Sequence, residues 1–190
     1  MSYEPPRPAR RLLLTPEDNE APARTRRLRR LGLGERPEPA LDAFADRIAG
    51  LIGAAYAMVN FIGEERQFFA GLCAPGAWPT TKADGTRPHV DRCLPRDHGF
   101  CPHVVVRRKA LVLDDVCDYP RFACNPVVDE YGIRSYLGAP FMDSTGIVLG
   151  TVCAVDAEPR RWGKAGLETI KSMAADLGAE IALREEIPEL

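Results

Sequence analysis

Two stretches of this chain carry strand-like runs on either side of a turn too short for anything but a hairpin, and they restrict the fold more than any other feature. Residues 56–62, YAMVNFI, are rich in aromatic and branched side chains; residues 63–65 read as a turn and 66–72 as the returning strand. Residues 134–142 and 147–156 repeat the arrangement around a turn at 143–146. Strands joined this closely must be antiparallel.

Helical periods flank the hairpins. From residue 40, Leu41, Phe44, Ile48, Leu51 and Ile52 fall on one face, with Asp42, Asp46 and Arg47 off it and Gly53 suited to the cap. A further helix is expected over 98–108 and a short apolar strand over 110–114. Residues 119–131 read as irregular or short-helical, broken by Pro120 and Pro126. In the last helix, 164–186, Leu167, Ile170, Ala174, Leu177 and Ile181 recur at intervals of three and four. That narrow seam is the pattern of helix against helix. It is expected to serve both the chain's own sheet and a homodimer built through the terminal helices. The order helix, hairpin, helix, strand, hairpin, long helix gives an α+β fold with an antiparallel sheet, not the alternation of a doubly wound one.

Residues 73–95 hold four prolines, two glycines and no periodicity. A loop that long in a compact domain tends to be a functional lid or disordered. Gly138, inside a strand, marks a close approach of backbone or ligand, and Pro140 should end central pairing or mark an edge.

A chain of 190 residues, 45% hydrophobic, suits one domain with a tail. Its net charge of -2 supplies no bulk attraction to nucleic acid or to an anionic membrane, so neither is an expected partner. No apolar run approaches the roughly 18 residues that span a bilayer, and the polar start lacks a secretory h-region. A cytoplasmic location with reduced cysteines is expected. Charge is uneven: residues 1–30 hold eight arginines against four acids. Residues 1–36 read as a basic, proline-rich, solvated arm with a short helix near 24–31, and 37–187 as the domain.

Several motifs join this element order: Phe100-Cys101-x-x-Val104, Asp115-x-x-x-Tyr119-Pro120-Arg121-Phe122, Asn125-Pro126-x-Val128, Tyr136-x-Gly138-Ala139-Pro140, Gly146-x-x-x-Gly150-Thr151 and Pro159-Arg160-x-Trp162. Together they resemble the GAF family over about residues 38–185. The resemblance implies a central antiparallel β-sheet of the GAF/PAS type. The N- and C-terminal helices would lie on one face, and a ligand pocket covered by helices and loops on the other. It implies a non-catalytic sensing or regulatory module that binds an unidentified small ligand and acts through a protein signalling partner. Pocket residues would be Phe100, Cys101, Val104, Asp115, Phe122, Asn125, Tyr136 and Cys153. Asp115 and Arg121 could pair to pin their loop.

No cofactor is expected. Cys101 is followed by Pro102, so the adjacent Cys-His pair of bilin-binding GAF domains is missing. Asp129-Glu130 lacks the phenylalanine and asparagine spacing of cyclic-nucleotide GAF domains, and no spacing singles out His98 or His103 as a haem ligand. A metal set would draw on His89, Cys93, His98, Cys101 and His103. Yet on a helix His98 and His103 stand about 140° apart. A thiol enzyme is the sharper alternative. One branch of the family reduces free methionine sulfoxide, and Cys93, Cys101 and Cys124 lie in places similar to its cysteines. Cys124 would attack the sulfoxide, and Cys93 or Cys101 would resolve the sulfenic acid. A third reading is an assembly protein whose vestigial pocket is filled by aromatic side chains.

Overall fold

The structure, a computed structural model, describes residues 15–78 and 84–186. The expectations for residues 1–14 of the basic arm, for 79–83 of the long loop and for 187 at the end of the domain lie outside the described residues.

Helices α1 (Ala21–Leu31) and α2 (Pro39–Ile52) lead into strands β1 (Tyr56–Ile62), β2 (Arg66–Cys73) and β3 (Cys93–Pro95). Helix α3 (Cys101–Arg107), strand β4 (Leu111–Leu113) and short helices α4 (Pro120–Ala123) and α5 (Pro126–Tyr131) follow. Strands β5 (Ser135–Met142) and β6 (Val148–Asp156) and the long helix α6 (Gly163–Glu186) complete the chain. The strands form one antiparallel sheet in the order β3-β2-β1-β6-β5-β4. Both expected hairpins are present, and their outer strands meet through the β1–β6 pairing. Pro140 sits where expected. Strand β4 pairs only as far as Gly138, so at Pro140 β5 is an edge on that side and needs no donor there.

Alternation along the strands divides the core in two. Ala57, Val59 and Phe61 of β1, with Leu137, Ala139 and Phe141 of β5, meet α2 and α6 on one face. Tyr56, Met58 and Ile62 of β1, with Tyr136, Cys153 and Val155, turn to the other face, under α3, α4 and α5. Helix α2 comes so close to β2 that a Cβ at Gly71 would stand 2.2 Å from the Leu41 carbonyl oxygen. Its buried face is Leu41, Phe44, Ala45, Ile48 and Ala49. Leu51, expected on that face, is 66% exposed. The helix has rolled toward its alanines, which permit the close approach, and Leu51 falls outside the contact. Arg160 closes the helix end, donating to the carbonyls of Gly53 at 2.7 Å and Ile52 at 2.9 Å.

One expectation is met in its inward half, and another needs correction. The α6 stripe packs on the chain's own sheet: Ile170, Ala174, Leu177 and Ile181 are buried in its core, with Leu167 half-buried at the margin. The three-four spacing arises because α6 lies along β5 and faces α2 at once. The helix of the basic arm is not part of a solvated tail. Arg24 of α1 is wholly buried, donating from Nε to the Val148 carbonyl at 2.6 Å and from Nη1 to Asp18 at 2.7 Å. A buried guanidinium is tolerated only when paired in this way. Asp18 also binds Arg96, and Arg27 binds Asp143 and Glu185, so arginines read as surface charge fasten α1 to the sheet's end.

Candidate functional site: a closed pocket under the sheet

The second face of the sheet and the helices above it enclose the site. Helix α3 begins three residues later than the sequence suggests, because residues 96–100 form a turn after β3. Asn125 fixes that turn. Its side chain accepts from the Gly99 amide at 2.8 Å, donates to the Gly99 carbonyl at 2.9 Å, and caps α5 at the Val127 amide. An Asn at a helix start commonly satisfies an orphan amide; this one also clasps α5 to the entry of α3. Asp115 is likewise structural. It caps the turn at Cys117 and binds Arg134 at 2.7 Å, not Arg121, whose guanidinium lies 5.9 Å from the Phe122 ring. Asn125 and Asp115 therefore frame the pocket and do not line it.

Phe100, Cys101, Tyr136 and Cys153 do line it, with Met58, Phe69, Trp78 and Tyr131. Val104 and Phe122 back this wall, Phe122 edge-on to Phe100 at 5.7 Å. Tyr136 reclines along its own strand. A Cβ at Gly138 would stand 2.2 Å from its hydroxyl, so the expected close approach is made by this phenol. The hydroxyl lies 3.3 Å from the Cys101 sulfur, and the Cys101 and Cys153 sulfurs are 3.8 Å apart. Beside them, Asn60 donates to Gln67 at 2.9 Å, and Gln67 donates to the carbonyls of Pro95 and His98. The Thr151 hydroxyl and the Asn60 carbonyl oxygen are buried without a hydrogen-bond partner. The pocket thus has an apolar lining with a small polar floor of Gln67, the Tyr136 hydroxyl and the two thiols, and Asn60 and Thr151 lie behind that floor.

The floor shifts the thiols. A hydrogen bond from Cys153 favours the Cys101 thiolate against burial, and Thr151 and Tyr136 add to it, so the Cys101 thiol titrates below the ordinary range. The same bond, and then burial, push Cys153 up. Burial first, then the Cys101 charge, pushes Tyr136 up, so it remains a proton donor. His103 is held down to about 4 by burial, then by Arg121, Arg107 and Arg96, and packs edge-on against Phe122 as a neutral ring.

A lid closes the space. From the loop after β2, Trp78 stacks on Tyr56 at 4.7 Å and leans on Tyr131 at 5.3 Å. Tyr56 donates to the Ala77 carbonyl, and Trp78 bonds through its amide to Pro88. The residual cavity is about 30 Å³.

The alternative constellations are not brought together. Cys93 packs with the α2–α6 core, whereas Cys101 belongs to the pocket on the other face, and Cys124 ends α4, half-buried. Of the metal candidates, His98 bonds Asp97 at 2.9 Å, His103 is buried in the α3 wall, and His89 bridges Ala77 in the lid. Among the described residues no three His, Cys, Asp or Glu side chains are placed to hold a metal ion. Asn60, Gln67, Thr151 and Trp78 were missed. Asn60 and Thr151 had a signal: each is the polar residue at an inward position of an otherwise apolar strand.

The matches to known proteins agree with this architecture. The GAF domain of an Acinetobacter phosphoenolpyruvate-protein phosphotransferase superposes with a TM-score of 0.59 at 18% identity, over 92% of this chain and 99% of that one. A free methionine-R-sulfoxide reductase from Neisseria meningitidis, solved with its substrate, superposes at 0.56 with 16% identity, over 77% and 79%. Such identities speak for the fold alone. A cyclic di-GMP phosphodiesterase of Pseudomonas aeruginosa is 39% identical over 70 residues, which are 36% of this chain and 12% of that protein. The family model of the GAF domain matches residues 36–181. With that match across most of its length, and the sheet, helices and pocket arranged as described, the chain belongs to the GAF domain family.

Proposed function

We propose that this chain is a regulatory module that takes up a small molecule between the sheet and helices α3 to α5 and passes its occupancy to a partner protein. The observation that carries this reading is the make-up of the pocket: a buried polar floor inside an apolar shell, closed by a lid that rests on one tryptophan. A few convergent polar groups in an apolar concavity are the usual form of a small-molecule site. Binding also fits the site better than turnover, because His103 is neutral and walled in by Phe122, and the three cysteines of a reductase are split between faces.

The competing reading, an assembly protein with a vestigial pocket, is favoured by the small cavity. A ligand larger than a few atoms must displace Trp78. Native mass spectrometry of the full chain purified without dialysis separates the two. The regulatory reading expects a bound small molecule that is lost on denaturation and refolding. A bare chain mass before and after would support the assembly reading. The same spectrum reports oligomeric state. With the α6 seam buried, a homodimer through the terminal helices would use outward side chains such as Leu51 and Leu183, which is 61% exposed.

A further inference from the structure

We propose that Cys101 and Cys153 are a redox-active dithiol, and that a hydroperoxide small enough to enter the pocket oxidises the pair to a disulfide. The inference does not depend on the pocket taking an organic ligand, and it survives if that reading fails. It stands first on position. One sulfur comes from the start of α3 and the other from the middle of β6, 52 residues on, yet they lie 3.8 Å apart. A disulfide bond is about 2.05 Å long, so closure requires an approach of about 1.8 Å. The pair also differs in kind from the other four cysteines, which are half-buried, Cys73 and Cys93 against the α2–α6 core and Cys117 and Cys124 in the short helical turns after β4.

The surroundings suit sulfur chemistry. Tyr136 places its hydroxyl 3.3 Å from the Cys101 sulfur. The buried Thr151 hydroxyl has no acceptor while both thiols are neutral, and a Cys101 thiolate would provide one. Arg96, whose Nη1 is buried without a partner, adds positive charge from the turn before α3. Both sulfurs line the cavity of about 30 Å³. A water needs about 10–15 Å³ of such space, so the cavity has room for hydrogen peroxide.

The chemistry balances without a further reactant. The Cys101 thiolate attacks one peroxide oxygen; an S–O bond forms, the O–O bond breaks, and the departing hydroxide takes a proton to leave as water. Cys153 then attacks the Cys101 sulfenic sulfur. The S–S bond forms, the S–O bond breaks, and the second oxygen leaves as water with the Cys153 proton. Two thiols lose two electrons, and one peroxide becomes two waters.

The test uses the full chain, reduced, then exposed to graded hydrogen peroxide, acid-quenched, alkylated under denaturing conditions and mapped by peptide mass. The expected product is a linked pair of peptides holding Cys101 and Cys153. Both free thiols should disappear together, before that of Cys124, because the two sulfurs already stand 3.8 Å apart. In Cys153→Ser the link is lost, and a sulfenic acid should be trapped on Cys101 by a 1,3-diketone probe. The inference is overturned if folded wild-type protein gives no such link, or if the more exposed Cys93 or Cys124 is consumed first. The wild-type mapping needs no substitution, so it decides the matter even if a variant misfolds.

Discussion

At the scale of single residues, Gly138 shows how little room the pocket floor has. A methyl group there would collide with the Tyr136 hydroxyl. Gly138→Ala should cost about 1–3 kcal/mol as an overpacking change, read from a urea unfolding midpoint, and Tyr136→Phe in the same chain should relieve part of it. Arg24 is the other such residue. Arg24→Ala leaves the Val148 carbonyl without its side-chain donor and Asp18 with Arg96 alone, and should cost about 3–5 kcal/mol; a loss under about 1 kcal/mol, the level of a surface pair, would contradict the buried anchor. These residues differ in how well the sequence announced them. Gly138 and Pro140 break strand preferences and were legible on that account. Arg24 looked like its seven neighbouring arginines, because sequence does not say which charge on an amphipathic turn faces inward. The same limit misassigned Asp115: Arg121 is nearer in sequence, but the β4–β5 pairing brings Arg134 to it instead.

At the scale of elements, three carboxylates tie segments together: Asp18 at the start of α1, Asp115 before α4, and Asp143 in the β5–β6 turn. Burial alone would raise each of them, but bonds to arginine more than offset it: Arg24 and Arg96 for Asp18, Arg134 for Asp115, and Arg27 for Asp143. All three titrate below their ordinary value in the folded chain. Their contribution is therefore present above about pH 4, near the unfolded carboxylate value, and is lost as pH falls through the lowered folded values. Unfolding midpoints measured from pH 6 downward should drop steeply below about pH 4, and Asp143→Asn should flatten that limb; an unchanged limb would count against the pairing. The lid is the second element with a distinct fate. It is held by ring stacking and a few hydrogen bonds, so Trp78→Ala should speed amide exchange across residues 84–92 while leaving β1 and β6 protected. Sequence marks this segment as a long loop, a functional lid or a disordered stretch, and hides its strand. Three residues between prolines and charges carry no alternation, and β3 exists because β2 offers it an edge.

At the scale of the whole molecule, one sheet separates two kinds of interior. The α2–α6 side is a close-packed core, and the α3–α5 side carries the polar floor and the lid. The order of elements and the antiparallel sheet were legible because hairpin turns and helical periods are local signals. The use of the α6 seam was not, since a three-four stripe looks the same whether it meets a second chain or its own sheet. The structure assigns it inward, so Leu177→Ala should cost about 2–5 kcal/mol by the same amount at every protein concentration. A loss that varied with concentration would point to a subunit interface instead.

A regulatory role for this molecule requires that the aromatic cradle under the lid hold a small molecule. Hydrogen exchange of Trp78→Ala, with and without free indole, tests this most directly, because indole is the group the substitution removes. Indole should restore protection to residues 84–92 toward the wild-type level. Exchange that stays fast in saturating indole, in a variant whose sheet remains protected, would contradict it.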